Sequence, residues 1–377
     1  MPWTTPTLKT LRKNARAYIM AALPGADALI PNSVLRVLAD VNAGLAHLVL
    51  QFIEWLATQL LPITATDIWL DRWATMYLKN SDGSRGRKMA SFAGGVVNAQ
   101  VVSLDGAVIP AGTILTSALG VNYQTIEQAS TSVAETVPLN VVALTAGAIG
   151  NLDPGTTLGF TTAVTGVLFG ATVVTLTGGA DVETDAQLQY RLLLRLANPP
   201  MGGSAKDYEL WALAVPGVTR AWASPEEMGP GTMTIRIMCD SLRAGLNGFP
   251  QGVDLQAVTD YTNSVRPVTV KDFFVLAPNG EPIDVTISNL VVDDPTTWSN
   301  IEASIKEMLF EKAAPARAVN GIAIPAQTIY AVWLTDAVLS AAGVDSFDIS
   351  DINGNPLADI VMPNPGAMGV PGDVIHG

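Results

Sequence analysis

Any catalysis or metal binding by this 377-residue chain would have to draw on two histidines, one cysteine and two close-set acidic groups. His47 falls in a long amphipathic stretch and His376 is the penultimate residue, so neither sits where a nucleophile–base–acid triad is held rigidly. Cys239 stands alone in a strand-like run. It excludes an intrachain disulfide framework and reads as a small buried hydrophobe. The clusters Asp181-Glu183-Asp185 and Asp293-Asp294 offer the oxygen ligands that Ca²⁺ takes, or the paired carboxylates of glycoside cleavage. Both precede helices, where acids favour the positive end of the macrodipole, and the calcium-loop spacing with its closing Glu is absent. Helix-start acids are the favoured reading. No Gly-rich phosphate loop followed by Lys-Ser/Thr, no dinucleotide fingerprint and no His-Glu-x-x-His motif occurs. The chain is read as non-enzymatic, with no catalytic residue, metal or cofactor.

The elements around these residues are more informative than the residues themselves. Between Gly178 and Asp240 a Gly-Gly-acidic turn, two capped helices, a Pro-Gly-Val turn and two strands follow without spare residues. Thr184 with Gln187 is a capping box, and Ser204 with Asp207 repeats it with a shorter acid. The helices stop at Asn198-Pro199-Pro200 and Val215-Pro216-Gly217. Apolar runs at Val218 to Ala223 and Thr232 to Cys239 then flank a Met228-Gly229-Pro230-Gly231 turn.

This segment resembles the signature of the baseplate J-like family, the wedge proteins of contractile phage tails. The resemblance is carried by Gly178-Gly179, Glu183-Thr184-Asp185, Arg191 and Arg195, Gly202-Gly203-Ser204, Asp207-Tyr208, Trp211-Ala212 and Pro216-Gly217-Val218. It extends to Ile109-Pro110-Ala111-Gly112-Thr113 and Ala146 to Asn151 upstream, and to Arg266-Pro267-Val268-Thr269-Val270 downstream. It covers roughly residues 90 to 290. The resemblance implies a virion tail baseplate protein, made and assembled in the host cytoplasm. It would dimerise within a wedge, link wedges into a ring around the central hub, and bundle its N-terminal helices with other baseplate wedge proteins. Hub or sheath-proximal proteins are the further partners implied.

Composition is consistent with an assembly subunit. Charged residues are 15% and hydrophobic ones 49%, so much of the surface is uncharged or covered by neighbours. The net charge of −13 is unevenly spread: Lys and Arg against Asp and Glu number 10 against 6 in residues 1–88, 0 against 4 in 89–180, and 11 against 24 in 181–377. The acidic C-terminal half disfavours nucleic acid. Met1-Pro2-Trp3 opens no signal-peptide pattern, and a cytoplasmic birthplace is expected.

The expected fold class is α+β and multidomain. Residues 1–88 form an N-terminal helical region, 89–180 a β-rich module, 181–231 a two-helix linking segment, 232–352 a ferredoxin-like α+β domain, and 353–377 an extended Pro/Gly-rich tail lying on the body or on a neighbour. In the first, Lys9, Arg12, Lys13 and Arg16 recur at helical spacing as a basic face, a solvated surface or a docking site. From Val41 to Leu61 the residues Leu45, Leu48, Val49, Phe52, Ile53 and Leu56 form one apolar stripe interrupted elsewhere by His47, Gln51, Glu54 and Thr58. This is a packed or partner-binding helix and not a membrane span. Asp67 to Tyr77 is a further short helix.

The middle module, devoid of basic residues and rich in Val, Thr, Ala and Gly, is expected to be all-β, its unguarded edges covered by neighbouring chains or prone to pairing. Beyond Asp240 the order is a helix at Val253 to Val265, a strand at Val268 to Leu276, an Asn279-Gly280 hairpin turn, and a strand at Ile283 to Val292. Helices at Thr297 to Lys312 and Pro325 to Ala342 and a strand at Val344 to Ile349 follow. With the strand ending at Cys239 this is β-α-β-β-α-α-β. A second function class, a secreted β-rich adhesin or glycan hydrolase, predicts exposed Trp beside paired carboxylates. The tryptophans, among them Trp55, Trp73, Trp211, Trp298 and Trp333, fall mostly in helices, where core packing is the ordinary reading.

Overall fold

The computed structural model describes residues 4–377 apart from 269, 320, 321, 324–326 and 342. Three helices open the chain: α1 Leu8–Ala22, α2 Val34–Gln59 and α3 Asp67–Tyr77. Thr7 and Ser33 cap α1 and α2, each side-chain oxygen accepting an N–H three residues on. The two helices form a hairpin. Ala39 and Ala43 of α2, 0% and 2% exposed, allow close approach, and Arg16 grips Asp40 through three hydrogen bonds of 2.7–3.0 Å.

The β-rich module is a closed barrel. Its strands are β1 Phe92–Val101, β2 Ala107–Ile109, β3 Ile114–Thr116, β4 Asn122–Thr125, β5 Ala129–Thr131, β6 Thr136–Ala146, β7 Thr157–Phe160 and β8 Val167–Thr177. Six of them close in the order β1-β6-β4-β3-β7-β8, while β2 and β5 pair separately. Strict alternation in β6 points Val137, Leu139, Val141 and Ala143 inward, where the Tyr123 hydroxyl donates to the Gly150 carbonyl at 2.9 Å. At Gly95 a Cβ would lie 1.9 Å from the Thr175 carbonyl oxygen, so only glycine lets β1 approach β8 there. The expectation of unguarded sheet edges is corrected for the six main strands. Closure leaves none of them unpaired along an edge, so neither charges nor a neighbour is required to guard them.

After the barrel come α4 Asp185–Ala197 and α5 Ala205–Leu213, and both expected capping boxes form. Strands β9 Arg220–Pro225, β10 Thr232–Met238 and β11 Asp272–Leu276 make a sheet of order β11-β10-β9, with α6 Gly252–Val265 as the crossover between the parallel pair β10 and β11. Its core holds Tyr208, Ala212, Ile235, Ile237 and Val258 with the buried Cys239, whose thiol burial pushes up to about 12. α3 packs on α4 through Leu70, Ala74, Leu188 and Leu192, so it belongs to this middle unit and not to the hairpin.

The C-terminal unit contains β12 Asn279–Ser288, α7 Pro295–Lys312, the short strands β13 Ala318–Val319, β14 Ile322–Ala323 and β15 Thr328–Ile329, α8 Ala331–Ser340, β16 Asp348–Ser350, β17 Ile360–Val361 and β18 Ala367–His376. Three expectations change here. The single ferredoxin-like sheet over 232–352 is instead two three-stranded sheets, β11-β10-β9 and β16-β12-β18. The Asn279-Gly280 hairpin does not form. Both residues lie inside β12, whose two edges are taken by β16 and β18, while β11 pairs in the other sheet. Residues 353–377, expected to lie extended on the body or on a neighbour, do lie extended on the body, but as an integral strand and not a tail: β18 runs parallel to β12 and buries Ala367 and Met368 in the core. Pro371 is tolerated because β18 is an edge strand and the β12–β18 register shifts beside it. Pro325 and Ala342, the expected ends of the second helix, lie outside the described residues.

The middle and C-terminal units are docked firmly. Met238 and Trp222 of the middle sheet pack into the C-terminal core. Arg220, bound to Asp240 at 2.8 and 3.0 Å, donates to the Phe310 carbonyl at 3.2 Å and lies over the Phe310 ring at 4.6 Å. The buried Arg236–Glu227 pair lies against Gly366, where a Cβ would come 2.7 Å from the guanidinium.

Candidate partner-binding site

The expected stripe on α2 is exposed. Leu45, Leu48, Val49, Phe52 and Ile53 are each 53–63% exposed, and Leu56 is half-buried. Spacing of three and four residues puts all six on one helical face. The face continues N-terminally through Val34, Val37, Leu38 and Val41, which the sequence reading missed although the same spacing runs through them; Arg36 and Asp40 mask the periodicity there. Trp55 also stands out into solvent, its ring 5.8 Å from Phe52, against the expectation of core packing for most tryptophans. No residue of α1 is buried.

The basic face is divided. Lys9, Arg12 and Lys13 are exposed, whereas Arg16 turns inward to Asp40 and holds that carboxyl below the usual carboxylate range. His47 lies half-buried on α2, its Nδ1 without a hydrogen-bond partner. Among the described residues α2 is the helix long and apolar enough, by length and composition, to cross a membrane, though Glu54 and Gln51 interrupt it and Asp40 is engaged with α1.

The hairpin is anchored at one end. The buried Gln59 accepts from the Thr66 N–H at 3.0 Å, and Gln189 of α4 donates to the Pro62 and Ile63 carbonyls at 3.2 and 2.8 Å. Below this lies an ionic junction. Arg191 and Glu183, 3% and 2% exposed, pair bidentately at 2.9 and 2.7 Å, and Arg191 also donates to Asn80 and to the Gly86 carbonyl, each at 2.8 Å. The Lys88 N–H donates to Glu183 at 2.9 Å, and the Lys88 ammonium to the carbonyls of Leu213, Val215 and Val218. Arg87 joins Asp71 and Asp185 at 2.8 and 2.6 Å. Sequence reasoning singled out Arg191 only through resemblance, and no local spacing marks Lys88.

The two acidic clusters resolve into separate tasks. Glu183 belongs to the junction, Asp181 accepts from Ala148 N–H at 2.9 Å, and Asp185 takes Arg87. Asp294 caps α7 while Asp293 accepts from the indole of Trp298, on which the His376 ring stacks at 3.6 Å. Among the described residues no group of three or more His, Cys, Asp or Glu is placed to hold a metal ion.

Burial lowers the Lys88 ammonium from 10.5 to about 8, more than the nearby Glu183 carboxylate raises it. Between those values the unfolded chain binds more protons than the folded one, so the Lys88 contribution to stability grows as pH rises from about 8 toward 10.5, by at most ~3 kcal/mol. Thermal unfolding of the parent and of Lys88→Met at pH 7.5 and 9.5 is expected to show the difference moving in the parent's favour at the higher pH. A pH-independent difference would refute the assignment.

Family comparisons match two of these units. The Baseplate J-like protein barrel domain matches residues 98–181, and the Baseplate J-like central domain matches residues 200–277, ending between β11 and β12, where the two sheets divide. The chain is 32% identical over 361 residues to baseplate protein gp47 of Escherichia phage Mu, covering 93% of this chain and 94% of that protein. The chain belongs to the baseplate J-like family. It is also 32% identical over 321 residues to the Mu-like prophage FluMu protein gp47 of Haemophilus influenzae, covering 82% of this chain and 85% of that one. A chain of the anti-feeding prophage baseplate, solved by cryo-electron microscopy, aligns over 99% of this chain and all of its own length with a TM-score of 0.42 and 12% identity. A structural role in a phage tail baseplate, and residence there in the virion, go with this membership. The exposed hairpin of this baseplate J-like chain lies outside both matched segments.

Proposed function

We propose that the chain is a wedge subunit that dimerises within a wedge, links wedges into a ring around the hub, and bundles its α1–α2 hairpin with other baseplate wedge proteins. Its work is mechanical and not enzymatic, and its interfaces rearrange on sheath contraction. The observation that carries the reading is the hairpin itself. α2 has 26 residues, an arm about 39 Å long, and its apolar face is left in solvent along most of that length. Two helices alone cannot cover such a stripe, and a helix so apolar on its outer face is made for burial. Lys9, Arg12 and Lys13 on the neighbouring helix supply a charged rim suited to an acidic partner surface. Ring contacts fall to residues 232–350, in the strongly acidic part of the chain, which also disfavours nucleic acid. The charged and polar positions of α2 favour a protein bundle over a bilayer.

The double variant Leu48→Glu with Phe52→Glu tests the hairpin. Two charges buried in a helical bundle are expected to weaken co-purification with co-expressed baseplate proteins at least about 100-fold, because neither carboxylate would find a partner there. Thermal unfolding of the variant alone should stay near that of the parent, since both positions are exposed in the free chain. Normal incorporation of this variant into particles would sink the bundling role.

A further inference from the structure

The chain enters the barrel through residues 88–91 and leaves it through 178–183, and the barrel strands pack principally on one another. Each end of this neck is held. On the barrel side Ser91 and Ala180 form a bridge with N–H to carbonyl at 2.9 Å. The Ser91 hydroxyl donates to the Gly178 carbonyl at 2.7 Å, and Asn151 pairs twice with Gly179 at 2.8 and 2.9 Å. On the body side Glu183 N–H donates to the Lys88 carbonyl at 3.0 Å, and both residues are buried in the ionic junction. Between the two clamps, Met89, Ala90 and Val182 engage in none of these bonds. Met89 and Val182 are exposed, and a cavity lined by Ala180, Val182, Gly217 and Leu242 opens beside them.

We propose that Met89, Ala90 and Val182 form a swivel about which the barrel turns as a rigid head on the body made by the middle and C-terminal units. Rotation about these residues need break no hydrogen bond of either clamp. Outside the neck, Asp153 of the barrel acts electrostatically on Arg243, which is itself bound to Asp254. Between the two units of the body, Met238, Trp222, Arg220 and Arg236 make direct packing and hydrogen-bond contacts. An angular change between subunits would therefore be taken up at the neck.

Distance distributions from double electron–electron resonance on the full chain test this. Nitroxides at Gln128→Cys and Glu302→Cys span barrel and body, while Ala257→Cys with Glu302→Cys lies within the body; all three positions are exposed and Cys239 is buried. The barrel-to-body distribution is expected to be about twofold wider than the in-body one. Equal widths would overturn the swivel. The measurement needs no other baseplate protein, so its failure leaves the wedge reading untouched.

Discussion

Glu183→Ala is expected to destabilise the chain by roughly 3–5 kcal/mol, the usual result of stripping one partner from a buried ion pair. The Glu183 carboxylate accepts from Arg191 at 2.9 and 2.7 Å and from the Lys88 N–H at 2.9 Å, and it is the nearest compensation for a buried guanidinium and a buried ammonium. Alanine leaves Arg191 with only the neutral oxygens of Asn80 and Gly86. It should also push the Lys88 ammonium further below its ordinary value, since the favourable attraction of Glu183 is gone. The double variant Glu183→Leu with Arg191→Met should recover part of the loss, because it removes the Glu183 and Arg191 charges together and leaves the buried Lys88 ammonium free of the Arg191 repulsion as well as of the Glu183 attraction. Urea denaturation of the three chains decides the matter: a single variant within 1 kcal/mol of the parent, a bound set by ordinary surface substitutions, would mean that the junction is not structural.

Removal of residues 366–377 should unfold the C-terminal unit. β18 covers one edge of β12, buries Ala367 and Met368, and packs Val370 and Val374 on a core that includes Val285, Ile287, Ile301 and Leu334. Losing those side chains alone forfeits roughly 5 kcal/mol, before the unpaired edge of β12 is counted. Calorimetry should show one unfolding transition lost, and the truncated chain should bind a hydrophobic dye under native conditions. A truncated chain that melts like the parent would show that β18 is dispensable to the fold.

That second case shows where sequence reasoning stopped. Twelve residues with four glycines and one proline lack the composition of a self-sufficient element, and β18 is not one: it is a strand only because β12, some 88 residues earlier, offers an edge. The Asn279-Gly280 step failed in the opposite direction. Its local signal for a hairpin is real, but both edges of β12 were claimed by strands far along the chain, and β11 was claimed by β10. Likewise, the low charge of residues 89–180 spoke of strands but could not reveal that six of them close into a barrel.

What the sequence by itself determined is everything written in contacts of three or four residues. It contains both capping boxes, the helical stripe from Leu45 to Leu56, the helix Asp67–Tyr77 and the ordered run from Gly178 to Asp240 that carries the family resemblance. Tertiary structure alone decided which strands share a sheet, that Arg16 faces Asp40 and not solvent, and that Lys88, Glu183 and Arg191 meet across some 100 residues. The physical reason is that a cap or a helical face is set by backbone geometry between near neighbours, whereas strand partners and buried charges are chosen by competition for burial among distant segments, and no residue carries a local mark of the partner that wins.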